Sequence, residues 1–306
     1  MNLVSINIGG GVKFIQKQKW IRGICNDNNI SVLGIQETKL TRLDLFVVKS
    51  LWGNMQFDVA ISSARGRSGG LLTIWDPSSF KKIRIISMDN VLIVEGIWLA
   101  TSSNCYLVNI YAPQGRSQKV QLWHFIKSFM SANSGNYLLF GDFNATRYAH
   151  DHLGTMFCSR VASDLNNFIS DCELFDIPLG GRRYTRMNKT CTSMSKLDRL
   201  LVNNGALDLF PNIHGLILPN LWSDHCPIML TNESFDYGPH PFKLFNSWFK
   251  IDGFEAIVHE AWNEYNGGLD INPFIDFKNK LKHVKTRLKA WKTQNVADRS
   301  IAKKNF

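Results

Sequence analysis

The chain lacks the features of an exported or membrane-embedded protein. Its N-terminus, MNLVSINIGG, has neither the basic segment nor the long apolar run of a signal peptide, and no apolar run elsewhere approaches membrane-spanning length. The six cysteines include no C-x-x-C pair, and without a secretory signal they are expected to be reduced thiols. We therefore expect a nuclear or cytoplasmic protein that is not secreted and has no membrane partner.

Acidic residues are outnumbered by basic ones, 25 to 35, and the resulting net charge of +10 is unevenly distributed. Between Ile275 and Phe306 there are ten Lys and Arg against two Asp, a net +8, which leaves only +2 for the rest of the chain. Such a basic tail either binds nucleic acid or another anionic surface, or is simply the solvated face of a helix.

The first two thirds of the chain alternate short β-rich runs with turn residues and a few helical patterns. Runs such as NLVSINI, SVLGIQ, VLIVEGIWL and NYLLFGD predict strands, and helical spacing fits Gln16–Asn28, Gln118–Ala132 and Ala162–Cys172. This alternation predicts a layered α/β (α+β) domain built on two packed sheets, with an all-β sandwich as the alternative.

The pattern changes near Asn232. The segment NESFDYGPHP is polar and rich in Gly and Pro, which predicts a linker, and FKIDGFEAIVHEAWNEY (Phe249–Tyr265) is expected to be one helix. Apolar residues three or four apart predict a further helix over Pro273–Trp291. We therefore predict a domain over residues 1–231, followed by a linker and a basic helical tail over residues 232–306.

Several polar residues share one placement, at or just after the end of an apolar run. One such residue is usually a turn former or a cap, but a repeated placement predicts a site at one rim of a sheet, where loops carry function. Carboxylates suit Mg²⁺, and a His backed by an Asp is held in one tautomer, which together suit phosphodiester hydrolysis. The residues so placed are Asn7, Glu37, Tyr111, Asp142, Asn144, Asp198, Asp224 and His225.

Five short motifs occur in order along this part of the chain: QETK (Gln36–Lys39), YAP (Tyr111–Pro113), GDFN (Gly141–Asn144), LDR (Leu197–Arg199) and SDHCPI (Ser223–Ile228). Together they resemble the endonuclease/exonuclease/phosphatase superfamily, the group of DNase I and the apurinic endonucleases, over about residues 1–231. The resemblance implies a four-layer sandwich, two packed mixed β-sheets flanked by helices, with a helical C-terminal extension here.

Within that superfamily the chain looks most like the endonuclease domain of plant LINE-type retrotransposon polyproteins. Pro241–Trp262 resembles the segment that leads there towards a reverse transcriptase, although no polymerase sequence follows here. The implied activity is an endonuclease that nicks DNA for target-primed reverse transcription, with Mg²⁺ as cofactor and Mn²⁺ as an alternative.

The resemblance also implies roles on the metal side of the site. Glu37 would be the main metal-binding carboxylate, and Asn7 would orient it and contribute to the metal site. Asp224 would complete the metal or water network, with Ser223 in support. Whether one or two metal ions bind stays open at this point.

On the phosphate side, the resemblance makes Asp142 the residue that positions or deprotonates the attacking water. Asn144 would hold a phosphate oxygen, Tyr111 would contact the phosphate or the leaving oxygen, and His225 would contact the scissile phosphate, oriented by Asp198. The general base stays open between Asp142 and the Asp198–His225 pair. The competing interpretation of Asp198 is an ion pair with its neighbour Arg199.

Two segments depart from the family pattern. The first block usually resembles S-W-N-x-R-G, whereas here it is SINIGG (Ser5–Gly10), which keeps Asn7 but lacks the Trp and the Arg. A later segment usually ends Phe-Thr-Trp, and here it reads Tyr184, Thr185 and Arg186. The first departure predicts reduced activity and the second an altered preference for target.

Two other functions compete with the endonuclease. A phosphatase of the same superfamily, acting on inositol phosphates or lipids, would use the same metal and carboxylates, but such relatives typically carry a Trp before the GD-x-N block. The third hypothesis is an inactive, nucleic-acid-binding remnant of a retrotransposon that relies on its basic tail.

Overall fold

The computed structural model describes residues 1–53, 56–64, 69–154, 156–232, 242–244, 248–249, 251–267 and 272–304. Its helices are α1 (Ile15–Asp27), α2 (Leu45–Trp52), α3 (Arg116–Ala132), α4 (Ser159–Asp171), α5 (Asn204–Leu209), α6 (Phe254–Asn263) and α7 (Pro273–Lys304). The longer strands are β1 (Asn2–Asn7), β2 (Val32–Gln36), β3 (Asp58–Ser62), β4 (Leu71–Trp75), β5 (Phe80–Met88), β6 (Val91–Trp98), β7 (Ser103–Tyr111) and β8 (Asn136–Asp142). They are followed by β9 (His152–Leu153), β10 (Phe175–Asp176), β11 (Leu179–Gly180), β12 (Arg186–Met187), β13 (Met194–Ser195), β14 (Asp198–Val202), β15 (Ile213–Ile217) and β16 (Ile228–Asn232).

Residues Met1–Ser234 form one unit, built as a four-layer sandwich. One core lies between the two sheets and includes Trp75, Leu107 and Phe140, all fully buried. Two outer cores cover the other faces: α1 and α2 pack on the first sheet, and α3 and α4 pack on the second. The expected α/β sandwich of two mixed sheets flanked by helices is thus confirmed, and the all-β alternative is wrong.

The first sheet has the order β11-β15-β16-β1-β2-β4-β3, and the second has the order β10-β14-β8-β7-β6-β5. Within them β1 runs parallel to β2, and β7 runs parallel to β8. Parallel neighbours end at the same edge of a sheet, so the residues that follow these four strands are collected at a single rim of the sandwich.

A buried polar network fastens the two sheets behind that rim. The Gln36 side chain on β2 donates to Asn109 Oδ1 on β7 over 2.7 Å and to Ser5 Oγ on β1 over 3.0 Å. Asn109 in turn donates to the Leu72 carbonyl on β4 over 3.0 Å. Buried polar groups are expensive unless they are hydrogen-bonded, so this network fixes the register of one sheet on the other.

A second buried network lies at the far face of the second sheet. The Arg199 guanidinium on β14 is 1% exposed and contacts Asp176 Oδ2 at 2.7 Å and Asp151 Oδ2 at 2.8 Å. Arg147 adds a further contact to Asp176 at 3.0 Å. The interpretation of Asp198 as the partner of Arg199 is therefore wrong, because Arg199 is occupied on the opposite face of its strand.

Residues Phe235–Phe306 form a second unit, in which Trp248, Phe254 and Leu288 make a small core. The single helix predicted over Phe249–Tyr265 is wrong. α6 begins only at Phe254, because Gly253 adopts a left-handed backbone (φ 85°) that breaks the helical path. The helix predicted over Pro273–Trp291 is present and continues to Lys304.

The predicted linker falls almost entirely outside the described residues, which omit 233–241, and the retrotransposon-like segment Pro241–Trp262 is described except for 241, 245–247 and 250. Among the residues that are described, none of the helices combines the length and the hydrophobicity that a bilayer span requires.

Candidate active site

The residues singled out at the ends of apolar runs lie together at one rim. Asn7 ends β1, Glu37 follows β2, and Tyr111 and Asp142 are paired at the ends of β7 and β8. Asp198 opens β14 directly opposite Asp142, because β14 runs antiparallel to β8. The loop before β16 carries Ser223, Asp224 and His225 to the same rim, since β16 runs antiparallel to β1.

The centre of the site is the amide of Asn7. Its Nδ2 donates to Asp142 Oδ2 over 2.9 Å and lies 3.4 Å from Glu37 Oε1, while its Oδ1 accepts from the Gly9 backbone N–H over 3.0 Å. The Tyr111 hydroxyl donates to the same Glu37 oxygen over 2.6 Å. One amide therefore orients two carboxylates that belong to different sheets.

Two of these residues hold a backbone conformation that L-residues rarely adopt. Glu37 has φ 56° and Asn144 has φ 48°. In the turn after β8, the Asn144 backbone N–H donates to Asp142 Oδ1 over 2.8 Å, and its Nδ2 donates to the Ala112 carbonyl over 2.7 Å. Such strained positions persist only when the surroundings enforce them, and here they turn the side chains towards the cleft.

His225 is held by a carboxylate that is distant in the sequence. Its Nδ1 lies 2.9 Å from Asp198 Oδ2, and its Nε2 lies 3.9 Å from Asp142 Oδ2. The Thr185 hydroxyl accepts from the Asp198 backbone N–H over 3.0 Å, and the Thr185 carbonyl accepts from the Cys226 N–H over 2.6 Å. Thr185 therefore ties together the two segments that present the pair.

The buried charges shift each other's protonation. Burial raises the pKa of Asp142 to about 6, although the positive charge of His225 opposes the shift. Burial alone would lower the pKa of His225, but the carboxylates of Asp198 and Asp142 outweigh it and raise that pKa to about 9. Near neutral pH, His225 is therefore a cation beside an ionised Asp142.

Burial, followed by the Glu37 carboxylate, raises the pKa of Tyr111 far above its usual range. Its hydroxyl therefore keeps its proton and acts as a donor to Glu37.

Residues from several elements surround the unusual first block, Ser5–Gly10. Ile6 is buried in the outer core of the first sheet, where it packs with Ile35 and Leu72. The ammonium of Lys17 on α1 donates to the carbonyls of Ile8 and Gly9, which places a positive charge under the loop. Ser223 closes this loop from above, since its hydroxyl donates to the Asn7 carbonyl over 2.7 Å and accepts from the His225 N–H over 3.1 Å.

Asp224 has a partner that the sequence did not indicate. Arg186 Nε lies 3.2 Å from Asp224 Oδ2, and both side chains are more than 40% exposed. Arg186 also forms a β-bridge with His225, so the residue that replaces the family Trp stands directly beside the predicted phosphate contact.

These residues line an open cleft of about 570 Å³. Sequence reasoning did not single out Gln114 and Lys119 among its other lining residues: Gln114 lies in the loop before α3, and Lys119 lies in the first turn of α3 within a pattern that indicates only a helix. It also missed the role of Thr185, although the surrounding segment had been noted for its departure from the family pattern.

The residues present fit a divalent metal ion. Glu37, Asp142 and Asp224 bring three carboxylates to one cleft, and hard cations prefer oxygen ligands of this kind. Asp142, Asp198 and His225 also converge, with potential ligand atoms within 4.8 Å of one another. The Asn7 amide orients Glu37 and Asp142 together, so this pair of carboxylates could also hold the ion.

The amino-acid sequence of the chain matches one known protein family. Residues 4–225 match the sequence profile of the Endonuclease/Exonuclease/phosphatase family. No curated protein sequence matches the chain.

Several solved structures share the fold. An AP endonuclease from Leishmania major aligns with a TM-score of 0.59 at 16% identity, over 75% of this chain and 86% of that one. A 3′ phosphatase from Neisseria, solved with a product DNA hairpin, aligns with a TM-score of 0.60 at 15% identity, over 76% and 100%. An AP endonuclease from Archaeoglobus fulgidus gives 0.60 at 14% identity, over 76% and 100%. At such identities the likeness concerns the fold alone.

Proposed function

The chain belongs to the endonuclease/exonuclease/phosphatase family, and on that premise we propose that it is a divalent-metal-dependent endonuclease that nicks DNA. The observation that carries the proposal is the position of His225, held at 2.9 Å by Asp198 and facing Asp142, which Asn7 orients together with Glu37. A protonated His beside an ionised carboxylate suits the attack of water on a phosphodiester anion.

Mg²⁺, or Mn²⁺ in its place, would be held by Glu37, which Asn7 orients, and would supply positive charge that polarises the phosphate and favours ionisation of water. Tyr111 would keep Glu37 in place through its 2.6 Å hydrogen bond rather than protonate the leaving oxygen. Asp224 is held by Arg186 and would act at the edge of this site.

The reacting step is assigned to the chain's own residues. Asp142 accepts a proton from water, the water oxygen bonds to phosphorus, and the bond from phosphorus to the 3′ oxygen breaks. The products are a 5′ phosphate and a 3′ hydroxyl: the leaving 3′ oxygen takes a proton from solvent, and Asp142 returns to solvent the proton that it took from the attacking water. His225 donates from Nε2 to a phosphate oxygen, and Asp198 keeps its Nδ1 proton in place. The high pKa of His225 favours Asp142 over His225 as the base.

The biological role that we propose is priming of reverse transcription by a retrotransposon, in the nucleus or the cytoplasm. A 3′ hydroxyl is the end that a polymerase extends, and the sequence of Pro241–Trp262 resembles the segment that precedes such a polymerase. We further propose that residues 1–231 are the nuclease domain. The basic helix α7 would add affinity for the DNA backbone through its charge.

Nicking of a supercoiled plasmid tests the activity, with Mg²⁺, with Mn²⁺ and with a chelator. Asp142→Asn and His225→Gln should each slow nicking at least a hundredfold, because each removes a charge that acts in the transition state. Asp171→Asn and His124→Gln are matched controls on α4 and α3 outside the cleft and should nick normally. If the Asp142 and His225 variants nick as well as the parent, the assigned site is wrong.

The products of the reaction distinguish the proposed endonuclease from the two alternative functions. Extension of the nick by a DNA polymerase without further treatment would support a 3′ hydroxyl. Release of inorganic phosphate from inositol phosphates, without nicking, would support the phosphatase. Binding of DNA without either reaction would indicate an inactive remnant.

A further inference from the structure

A lysine is buried in the wall of the cleft and has no acidic partner. Lys119 lies in the first turn of α3, is only 5% exposed and lines the same cleft as Asn144 and His225. Its ammonium donates to the Gln114 carbonyl over 3.1 Å. An ammonium has three donors, so this single hydrogen bond leaves it donors that face the cleft.

Other cations on the same helix are paired. Arg116 contacts Asp164 at 2.6 Å, and Lys127 contacts Asp171 at 2.7 Å, both at the exposed surface. Among the residues described in the structure, no carboxylate comes within 4.0 Å of the Lys119 ammonium. The charge of Asp142, which lines the same cleft, acts on Lys119 only at longer range.

A buried cation without a counter-charge is costly, and burial lowers the pKa of Lys119 for that reason. Long Lys side chains normally avoid the cost by extending the ammonium into water, but a residue that is 5% exposed does not do so. An anion in the cleft would offset this cost, because it would give the ammonium a counter-charge.

From this placement we propose that Lys119 holds a second phosphate, next to the one that His225 contacts. The site would then select a polynucleotide strand with two successive phosphates over any substrate with a single phosphodiester. This inference rests on the proposed nuclease function and adds a subsite to it. Lys119, Asp142, Asn144 and His225 line the same cleft, and its volume of about 570 Å³ is that of a ligand pocket.

The test compares two substrates in the Lys119→Met variant, which keeps an unbranched side chain one atom shorter and removes its charge. One substrate is an oligonucleotide duplex, and the other is the p-nitrophenyl ester of thymidine 5′-monophosphate, which has one phosphodiester. We expect KM for the duplex to rise about tenfold, and the salt dependence of binding to weaken by about one phosphate contact. Turnover of the one-phosphate ester should be unchanged. Lys127→Met, which makes the same change two turns along α3, should alter neither.

Thermal unfolding separates this role from a structural one. Since the buried charge has no acidic partner, Lys119→Met should leave Tm unchanged or raise it. A lower Tm together with equal losses on both substrates would overturn the proposal, as would an unchanged KM for the duplex.

Anisotropy of a labelled oligonucleotide in chelator gives a second measurement that needs no cleavage. Lys119→Met should bind it several-fold more weakly than Lys127→Met, and equal binding would overturn the subsite. A parent chain that cleaves neither substrate but shows this difference would refute the proposed function and leave the subsite standing.

Discussion

Asn7 and Asp142 are separated by 135 residues, and the 2.9 Å hydrogen bond between them joins the two sheets of the sandwich at their shared rim. The same amide reaches Glu37 at 3.4 Å. The spacing of the two carboxylates on which the proposed chemistry depends is therefore set by one side chain. This makes Asn7 the most informative residue to change.

Asn7→Ala should reduce the rate of nicking about a hundredfold, since a displacement of the reacting groups by about 1 Å has an effect of that size. It should also cost about 1–3 kcal/mol of stability, because the carboxylate oxygen of Asp142 loses a buried partner. Steady-state nicking and urea unfolding measure the two effects. An Asn7→Ala chain with unchanged kcat would show that the hydrogen bond has no part in catalysis.

The rate of nicking should depend on pH through two groups. Asp142 must be ionised to accept a proton, so the rate should rise through about pH 6, or lower where the bound metal favours the carboxylate. His225 must be protonated to contact the phosphate, so the rate should fall above about pH 9. In His225→Gln the alkaline limb should disappear while the acid limb remains. Persistence of the alkaline limb in that variant would assign it to another group.

The Arg199 network should matter for stability rather than for chemistry. Arg199→Leu should lower the free energy of unfolding by about 3–5 kcal/mol, since it leaves Asp151 buried without its counter-charge and Asp176 with Arg147 alone. Burial opposes ionisation of Asp151, but the charge of Arg199 prevails and lowers its pKa. The ionised Asp151 carboxylate therefore stabilises the fold at pH values above its unfolded pKa of about 3.8. This stabilisation is lost as the pH falls through the lower pKa that Asp151 has in the folded chain. Urea unfolding of parent and Arg199→Leu chains between pH 2 and 7 should show the difference shrinking in acid.

Gly141, in the GDFN motif, should tolerate no side chain. Its φ is 136°, and a Cβ there would lie 2.0 Å from the Ile110 carbonyl oxygen on β7. Gly141→Ala should therefore push β7 and β8 apart beside Asp142 and yield little folded protein. Gly69→Ala is a control at a glycine of φ 82° where a Cβ would contact nothing, so only local strain is expected. Comparable yield and Tm for the two variants would contradict this account.

Arg186→Gln should weaken binding of DNA without changing stability. The ion pair with Asp224 is solvent-exposed, and such pairs contribute at most about 1 kcal/mol. The guanidinium stands beside His225, so its loss should raise KM and reduce the salt slope by about one contact. Arg182 lies in the preceding loop and does not line the cleft. Arg182→Gln therefore removes an equal charge away from the cleft and should leave KM unchanged. A fall in kcat at constant KM would instead place Arg186 in the chemical step.

The sequence by itself determined the family and the layered fold. Strand patterns of period two, the order of five short motifs and the repeated placement of polar residues at strand ends were enough to place Glu37, Asp142 and His225 at one rim. These features are local or sequential, which is why periodicity and motif order reveal them. The helix predicted over Phe249–Tyr265 failed for an equally local reason, the left-handed Gly253.

Only the tertiary structure decided which of these groups touch. It paired His225 with Asp198, turned Arg199 away to Asp151 and Asp176, and gave Asp224 to Arg186. It also buried Lys119 beside the cleft with no acidic partner among the described residues. The strength of an ionic interaction or a hydrogen bond depends on the distance between the groups and on their burial, and the sequence specifies neither directly. Both are set when two sheets, whose contacting residues lie far apart along the chain, pack face to face.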